Sequence, residues 1–191
     1  MKYVVEISPE NKGFSRFRLC KKCNEVKPPR THHCSICQTC VMRMDHHCPW
    51  TGNCIGLKNY KYFICFLFWT IMACLHVAIS SPLLNKHIKL FSHTKQDLIY
   101  ASQFFPLNPL LAHILSITVS IGVFILFGFN LRFLHNNEIP IESAELLLNG
   151  NPFNMKNRTD NYKQVLGQDK WLWPLSAPEN IVDGLSYPVR K

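Results

Sequence analysis

Two long segments of the chain contain no lysine, arginine, aspartate or glutamate. They cover residues 62–84 and 110–131, and both consist mainly of large apolar side chains. The 23 residues of the first segment would form an α-helix roughly 34 Å long at about 1.5 Å per residue, enough to cross a hydrocarbon core of about 30 Å. The lack of charge therefore argues against a soluble globular protein and predicts two membrane-spanning helices.

Large aliphatic side chains are scarce in residues 20–54. A segment of this composition cannot build a hydrophobic core, so its folding free energy must have another source. Seven of the nine cysteines of the chain lie in it, and a cytosolic, reducing location disfavours disulfides. The composition therefore predicts a domain that folds around metal ions.

Acidic residues are also scarce, with 12 against 21 lysines and arginines and a formal net charge of +9 at pH 7. A basic chain can bind nucleic acid. Here, however, the basic residues flank the apolar segments, where they would meet anionic lipid headgroups or an anionic substrate. No DNA-recognition helix is apparent after the cysteine-rich segment either. We therefore expect a lipid bilayer and no nucleic acid among the partners.

Basic residues also predict the orientation in the membrane. Residues 1–61 carry eleven lysines and arginines, the loop between the apolar segments carries three, and the chain from Arg132 onward carries seven. Basic flanks stay in the cytosol, so both termini are predicted to be cytosolic. No apolar stretch opens the chain, and neither apolar segment is interpreted as a signal peptide.

These patterns divide the chain into six predicted segments. They are an N-terminal cytosolic segment (1–16), a zinc-stabilised cysteine-rich domain (17–61), a first transmembrane helix (62–84), a lumenal loop (85–109), a second transmembrane helix (110–134) and a cytosolic C-terminal segment (135–191). The predicted fold class is membrane α-helical. Each apolar segment contains one histidine, His76 and His113, which we interpret as a neutral imidazole bonded to a neighbouring helix or near a span end.

Two cysteine pairs have the spacing of zinc knuckles, in which a short loop lets both sulfurs reach one tetrahedral ion. The pairs are Cys20 with Cys23 and Cys34 with Cys37. They imply two zinc ions or one four-cysteine site. Four further candidates would complete two sites of three cysteines and one histidine: His33, Cys40, His47 and Cys54. One cysteine and two histidines are then left over: His32, His46 and Cys48.

The run Asp45-His46-His47-Cys48 places a carboxylate, two imidazoles and a thiol side by side. Free cysteine has a pKa of about 8.5, so a thiol needs an adjacent base to become a nucleophile at neutral pH. Asp45 can orient an imidazole, which accepts the proton of Cys48, and Cys48 can carry a covalent intermediate. The alternative is that all four residues bind zinc or are buried polar groups. A chain that only folds around zinc has no use for an additional thiol, Cys48, beside the candidate ligand His47, so the pattern favours catalysis.

Residues 17–63 resemble the cysteine-rich domain of the DHHC family of protein S-acyltransferases (palmitoyltransferases). The resemblance rests on the two C-x2-C pairs, the runs KPPRTHHC, DHHCPW and NCIG, and Asn59 four residues before Phe63. It implies that Cys20, Cys23, His33 and Cys40 bind one zinc ion, and that Cys34, Cys37, His47 and Cys54 bind the other. It also implies that Cys48 is the nucleophile, His46 the base, Asp45 its orienting partner and His32 a structural hydrogen-bonding residue.

The resemblance implies a zinc-dependent membrane enzyme of the Golgi or endoplasmic reticulum. It would move a palmitoyl group from the co-substrate acyl-CoA through an acyl-Cys48 intermediate to cysteines of membrane-associated proteins, with two structural Zn2+ ions. Family members typically have four spans, whereas residues 1–19 contain no apolar segment. A shortened form or a two-span variant with an incomplete acyl cavity is therefore expected. The alternative function is a catalytically impaired zinc-dependent membrane adaptor.

Beyond the second apolar segment the resemblance is weaker. Family members usually carry a Thr-Thr-x-Glu motif there, of which residues 139–142 retain only Glu142. Residues 161–167 are similar to a C-terminal motif whose asparagine ties this segment to the membrane helices. The resemblance implies that role for Asn161.

Overall fold

The structure, a computed structural model, describes residues 18–91 and 109–167 together with Gly184 and Tyr187. The predicted N-terminal segment 1–16, most of the predicted lumenal loop and most of residues 168–191 lie outside the described residues. The chain forms two compact units. The first comprises the described residues up to Phe63 and from Leu131 onward, and the second comprises residues 64–130.

The cysteine-rich segment folds into three antiparallel hairpins of two strands each. Their strands are β1 (Arg18–Cys20) with β2 (Glu25–Lys27), β3 (His32–Cys34) with β4 (Thr39–Val41), and β5 (His46–Cys48) with β6 (Asn53–Ile55). An isolated hairpin is at best marginally stable in water, and these strands have only three residues each. The hairpins therefore need a further source of stability, in line with the expected metal ions.

The three hairpins repeat along the chain. Their first strands begin 14 residues apart, at Arg18, His32 and His46. Each turn contains a residue in the left-handed region, namely Asn24 (φ 55°), Gln38 (φ 53°) and Gly52 (φ 60°). Two of these turns are the knuckles recognised in the sequence, whereas the third hairpin was not identified as a copy of them. Its equivalence becomes visible only through the shared strand register and turn geometry.

Helix α1 (Tyr60–Phe91) follows directly on the third hairpin. Asn59, just before the helix, donates from Nδ2 to the carbonyl of Cys54 at 2.8 Å and accepts from the backbone N–H of Gly56 at 2.8 Å. A Cβ at Gly56 would lie 2.8 Å from the carbonyl oxygen of Met42, so only glycine fits where these two backbone segments approach each other. Together these contacts hold the short segment that joins the third hairpin to the first residues of α1.

Helix α1 and helix α2 (Pro109–Asn136) contain the two apolar segments. Helix α1 continues through Pro82 to Phe91, seven residues into the segment predicted as a loop. In the most apolar stretch of each helix, only 22% of α1 and 11% of α2 is buried, whereas the core helices of a soluble protein are mostly buried. Ser81 Oγ lies 3.2 Å from Nδ1 of His113 on the other helix, so the predicted imidazole bond between helices is confirmed for His113.

Two short helices follow α2, namely α3 (Ser143–Asn149) and α4 (Arg158–Leu166). Asn161 of α4 is fully buried. Its Nδ2 donates to the carbonyl of His135 in the last turn of α2 at 2.7 Å and to Oδ1 of Asn154 at 2.9 Å, and its Oδ1 accepts from the N–H of Met155 at 3.0 Å. The expected anchoring of the C-terminal segment by Asn161 is therefore confirmed.

Candidate active site and metal clusters

Eight side chains form two groups that could each hold a metal ion, with three cysteines and one histidine per group. The first cluster consists of Cys20, Cys23, His33 and Cys40, and the second cluster consists of Cys34, Cys37, His47 and Cys54. Within each cluster the ligand atoms lie within 4.8 Å of one another. The structure thus brings together the same two interleaved sets that the family resemblance implied.

The spacing of these atoms fits tetrahedral zinc. Bond lengths of about 2.3 Å to sulfur and about 2.0–2.1 Å to nitrogen separate two sulfurs by about 3.7 Å and a sulfur from a nitrogen by about 3.5 Å. In the first cluster Nδ1 of His33 lies 3.6, 3.2 and 3.9 Å from the three sulfurs. In the second cluster Nδ1 of His47 lies 3.7, 3.4 and 3.6 Å from them. Both donor sets therefore fit a zinc ion.

Strand β5 assigns the residues of the tetrad to two different faces. Successive side chains of a strand point to opposite faces, so His47 lies on one face while His46 and Cys48 lie on the other. His47 is paired across the hairpin with Cys54, and both belong to the second cluster. This alternation is the physical reason why adjacent residues of the tetrad can serve two different purposes.

On the face of β5 away from the second cluster, Nδ1 of His46 lies 2.7 Å from Oδ2 of Asp45. Asp45 is buried, and its backbone N–H donates to the carbonyl of Ile55 at 2.8 Å. The bond at Nδ1 leaves Nε2 of His46 for the Cys48 thiol. The His46 ring also packs edge-on against Phe63 in the first turn of α1, with 5.0 Å between ring centroids. The structure thus brings the three predicted catalytic residues together.

The surroundings of this triad favour an ion pair. The hydrogen bond to Asp45 raises the pKa of His46 above its ordinary value, although burial opposes the shift. Burial also works against ionisation of the Cys48 thiol. Hydrogen bonds from the hydroxyl and N–H of Thr51, the His46 ring and the N–H of Trp50 nevertheless hold the pKa of Cys48 below its ordinary value. A thiolate beside an imidazolium is the reactive form of cysteine.

The hairpin repeat explains why Cys48 lies outside both clusters. Cys48 ends the first strand of its hairpin, as the first knuckle cysteine does in the other two. Three residues further on, those hairpins have Cys23 or Cys37, whereas the third has Thr51. Each cluster also combines the turn of one hairpin with strand residues of the next, and the third hairpin is followed by α1. Cys48 therefore lacks both a paired thiol and a following hairpin that would complete a metal site.

Arg30 was not singled out in the sequence, although it lies in the run KPPRTHHC. Its side chain is 1% exposed, and its Nε donates to Oε2 of Glu142 at 3.1 Å. The guanidinium lies 4.4 Å from the ring centroid of Phe153. Oε1 of Glu142 lies 3.4 Å from Nε2 of His32, so the expected structural hydrogen bond of His32 is observed. The glutamate that remains of the family motif is thus the counter-ion of a buried arginine.

Comparison with known proteins agrees with this geometry. The model of the family described as DHHC palmitoyltransferase matches residues 13–145, and the chain belongs to this family. Membership, the two apolar helices and the two Cys/His clusters confirm the predicted fold class, a membrane α-helical protein with a cysteine-rich domain.

Curated relatives are named protein S-acyltransferases or palmitoyltransferases. The chain is 37% identical over 170 residues to "Probable protein S-acyltransferase 13" of Arabidopsis thaliana, covering 89% of this chain and 55% of the relative. It is 33% identical over 183 residues to palmitoyltransferase ZDHHC15 of Mus musculus (93% and 52%) and 35% identical over 178 residues to palmitoyltransferase ZDHHC20 of Homo sapiens (91% and 47%). The chain therefore spans about half the length of the curated relatives it matches.

Proposed function

We propose that this chain is a protein S-acyltransferase that forms an acyl thioester on Cys48 and passes the acyl group to a cysteine of a membrane-associated protein. The observation that carries the proposal is the arrangement on β5. His46 is bonded to Asp45 at 2.7 Å and shares a face with Cys48, while His47 belongs to the second cluster on the other face. Cys48, His46 and Asp45 thus supply a nucleophile, its base and a group that orients the base.

In the first step Nε2 of His46 takes the proton of the Cys48 thiol, and Asp45 stabilises the imidazolium. The thiolate attacks the thioester carbonyl of fatty acyl-CoA, and the CoA thiolate leaves with the proton held by His46. In the second step His46 takes the proton of a substrate cysteine, whose thiolate attacks the acyl-Cys48 carbonyl. The Cys48 thiolate leaves and recovers the proton, so the enzyme returns to its starting state.

The two clusters have a structural role in this proposal. We propose Cys20, Cys23, His33 and Cys40 as the ligands of one zinc ion, and Cys34, Cys37, His47 and Cys54 as those of the other. Four protein ligands leave no open position for Lewis-acid catalysis, so the ions would stabilise the fold and take no direct part in the reaction. Holding His47 also restrains the strand on which Cys48 lies.

The position of the triad along the chain suits a substrate that is half lipid. Cys48 precedes the start of α1 by only 12 residues, and Phe63 in the first helical turn contacts His46. An acyl chain gains about 0.8 kcal/mol per buried CH2, so it can lie in the bilayer while CoA stays in water. We propose cytosolic termini from the basic flanks, and a location in the Golgi or endoplasmic reticulum from the family resemblance.

Labelled acyl-CoA tests the proposal. The purified chain should acquire a thioester-linked label that Cys48→Ser abolishes. Cys74→Ser is the matched control, because it removes a thiol in α1 outside the triad and should leave labelling intact. Labelling of Cys48→Ser at the normal rate would exclude the mechanism, and failure of the unsubstituted chain to become labelled would favour the adaptor.

A further inference from the structure

Asn137, the first residue after α2, has an unusual set of contacts. It is 1% exposed, and its φ of 49° lies in the left-handed region, which asparagine, aspartate and glycine tolerate best. All the residues that its side chain contacts belong to the first compact unit. Buried asparagines need partners for both ends of the amide, so the identity of these partners shows what Asn137 holds in place.

The amide of Asn137 uses its full hydrogen-bonding capacity. Oδ1 accepts from Arg30 at 3.0 Å and from Arg43 at 3.4 Å. Nδ2 donates to the carbonyl of Phe153 at 2.9 Å and to Oε1 of Gln164 at 3.0 Å. One oxygen with two lone pairs and one NH2 with two hydrogens allow four such bonds. Asn137 therefore joins two arginines of the cysteine-rich domain to two points of the C-terminal segment.

Of these partners, Arg43 is the one that adjoins the catalytic triad along the chain. It is buried, precedes Asp45 by two residues and has a φ of 45°. Within the described ranges, Oδ1 of Asn137 is the one hydrogen-bond acceptor of its guanidinium, which also lies 5.2 Å from the ring centroid of Tyr60. Arg30, by contrast, keeps Glu142 and the backbone carbonyl of Asn137 as further partners.

The loop that carries Arg43 leads into the triad. The carbonyl of Met42 accepts from the N–H of Leu57 at 3.0 Å, and the N–H of Asp45 donates to the carbonyl of Ile55 at 2.8 Å. Between these two backbone bonds the chain passes through the left-handed conformation of Arg43. The side chain of Arg43 therefore restrains the segment that sets the direction of the Asp45 carboxylate toward His46.

We propose that Asn137 is a positioning residue for acyl transfer, which holds Arg43 and thereby the Asp45–His46 pair in the orientation that Cys48 requires. The inference rests on the proposed function, because it assigns Asn137 a part in that reaction. Asn137 thereby links the end of α2 to the reacting residues on and beside β5 through Arg43, and neither Asn137 nor Arg43 was singled out by the family motifs.

Three substitutions separate positioning from backbone strain. Asn137→Gly tolerates the left-handed φ but removes both arginine bonds. Asn137→Asp also tolerates it and keeps an oxygen acceptor for the arginines. Asn24→Gly is the matched control, because Asn24 has a φ of 55° and an exposed side chain in the first hairpin turn. Each full-length variant is measured for zinc content, the rate constant of Cys48 acylation by palmitoyl-CoA and the half-saturating palmitoyl-CoA concentration.

We expect Asn137→Gly to keep two zinc ions and to lower the acylation rate constant about tenfold or more, with a half-saturating concentration within about twofold of the original. Asn137→Asp should restore the rate constant to within about threefold, and Asn24→Gly should leave it unchanged. An unchanged rate constant in Asn137→Gly would overturn the proposal. Equal losses in Asn137→Gly and Asn137→Asp would also overturn it, since the arginine bonds would then not be the cause.

Two further measurements keep the proposal testable if the first variant fails. If Asn137→Gly loses zinc, Arg43→Lys breaks the same contact from the other end and should show the same fall in rate constant; a normal rate would refute the proposal. If the unsubstituted chain does not acylate, the proposed function fails. Amide hydrogen exchange of residues 43–48 then decides, because positioning by Asn137 predicts faster exchange in Asn137→Gly than in Asn24→Gly, and equal exchange refutes it.

Discussion

Glu142→Gln removes a charge from the buried ion pair with Arg30 while keeping the shape of the side chain. The guanidinium, with 1% of its side chain exposed, would then be buried without its counter-ion. Breaking a buried ion pair from one side typically costs about 3–5 kcal/mol. Arg30 keeps two hydrogen bonds to Asn137 and its contact with the Phe153 ring at 4.4 Å, and these offset part of the loss. We therefore expect the free energy of unfolding to fall by roughly 2–3 kcal/mol.

The measurement is equilibrium denaturation of the full chain in detergent, followed by release of zinc to a coloured chelator. Glu138→Gln is the control, because Glu138 makes no ion pair within the described residues and is only four positions away. A loss in Glu142→Gln within about 0.5 kcal/mol of the control would refute the reasoning. Replacing Arg30 by Met together with Glu142→Gln should recover part of the stability, because no uncompensated charge is then buried.

The pH dependence of this difference follows from the sign of the Glu142 shift. Burial tends to raise the pKa of Glu142, but the bonds to His32 and Arg30 outweigh it and hold the pKa below its ordinary value of 4.5. A depressed carboxyl pKa contributes stability above the unfolded pKa, which is lost as the pH falls through the folded pKa. The difference between the original chain and Glu142→Gln should therefore be the same at about pH 6 as at about pH 8. A difference that disappears at the lower pH would contradict the assigned ion pair.

Three further predictions concern the hairpins. Thr51→Cys should form a knuckle pair with Cys48 but keep the zinc content at two ions, because no hairpin follows to supply the other two ligands of a site. A third zinc ion in Thr51→Cys would contradict this interpretation of the repeat. Asp45→Asn should lower the acylation rate constant by about a hundredfold or more without changing zinc content, because His46 loses its orienting carboxylate; a normal rate would exclude that role. Chelation should remove two zinc ions per chain and unfold residues 20–54, as far-ultraviolet circular dichroism would show; retained structure would exclude metal-dependent folding.

Local patterns sufficed for part of this protein. The absence of charge over residues 62–84 and 110–131 predicts membrane helices, because length and apolar composition are local requirements for crossing a bilayer. Within the described residues the helices extend beyond those limits, to Tyr60 and Phe91 and to Pro109 and Asn136, because backbone hydrogen bonding can continue a helix past its apolar residues. The triad was likewise readable, since its residues lie within four positions of one another.

The metal sites show where such patterns stop. The spacing of Cys20 with Cys23 and of Cys34 with Cys37 predicts knuckles, but it left open whether the chain has two sites or one. The family resemblance implied the interleaved sets, and strand register supplies their physical basis. His33 is paired with Cys40 across the two strands of the second hairpin, and His47 is paired with Cys54 across those of the third.

The sequence by itself determined a membrane protein with a cysteine-rich domain, and it predicted metal-dependent folding and a reactive thiol beside a base. Only the tertiary structure decided that strand alternation assigns His46 and His47 to different faces. It alone showed that Glu142 neutralises Arg30, 112 residues away, and that Asn137 holds Arg43, 94 residues away. Apolar segments and knuckles follow from neighbours along the chain, whereas buried polar partners meet only when distant segments pack, and no period or spacing records such contacts.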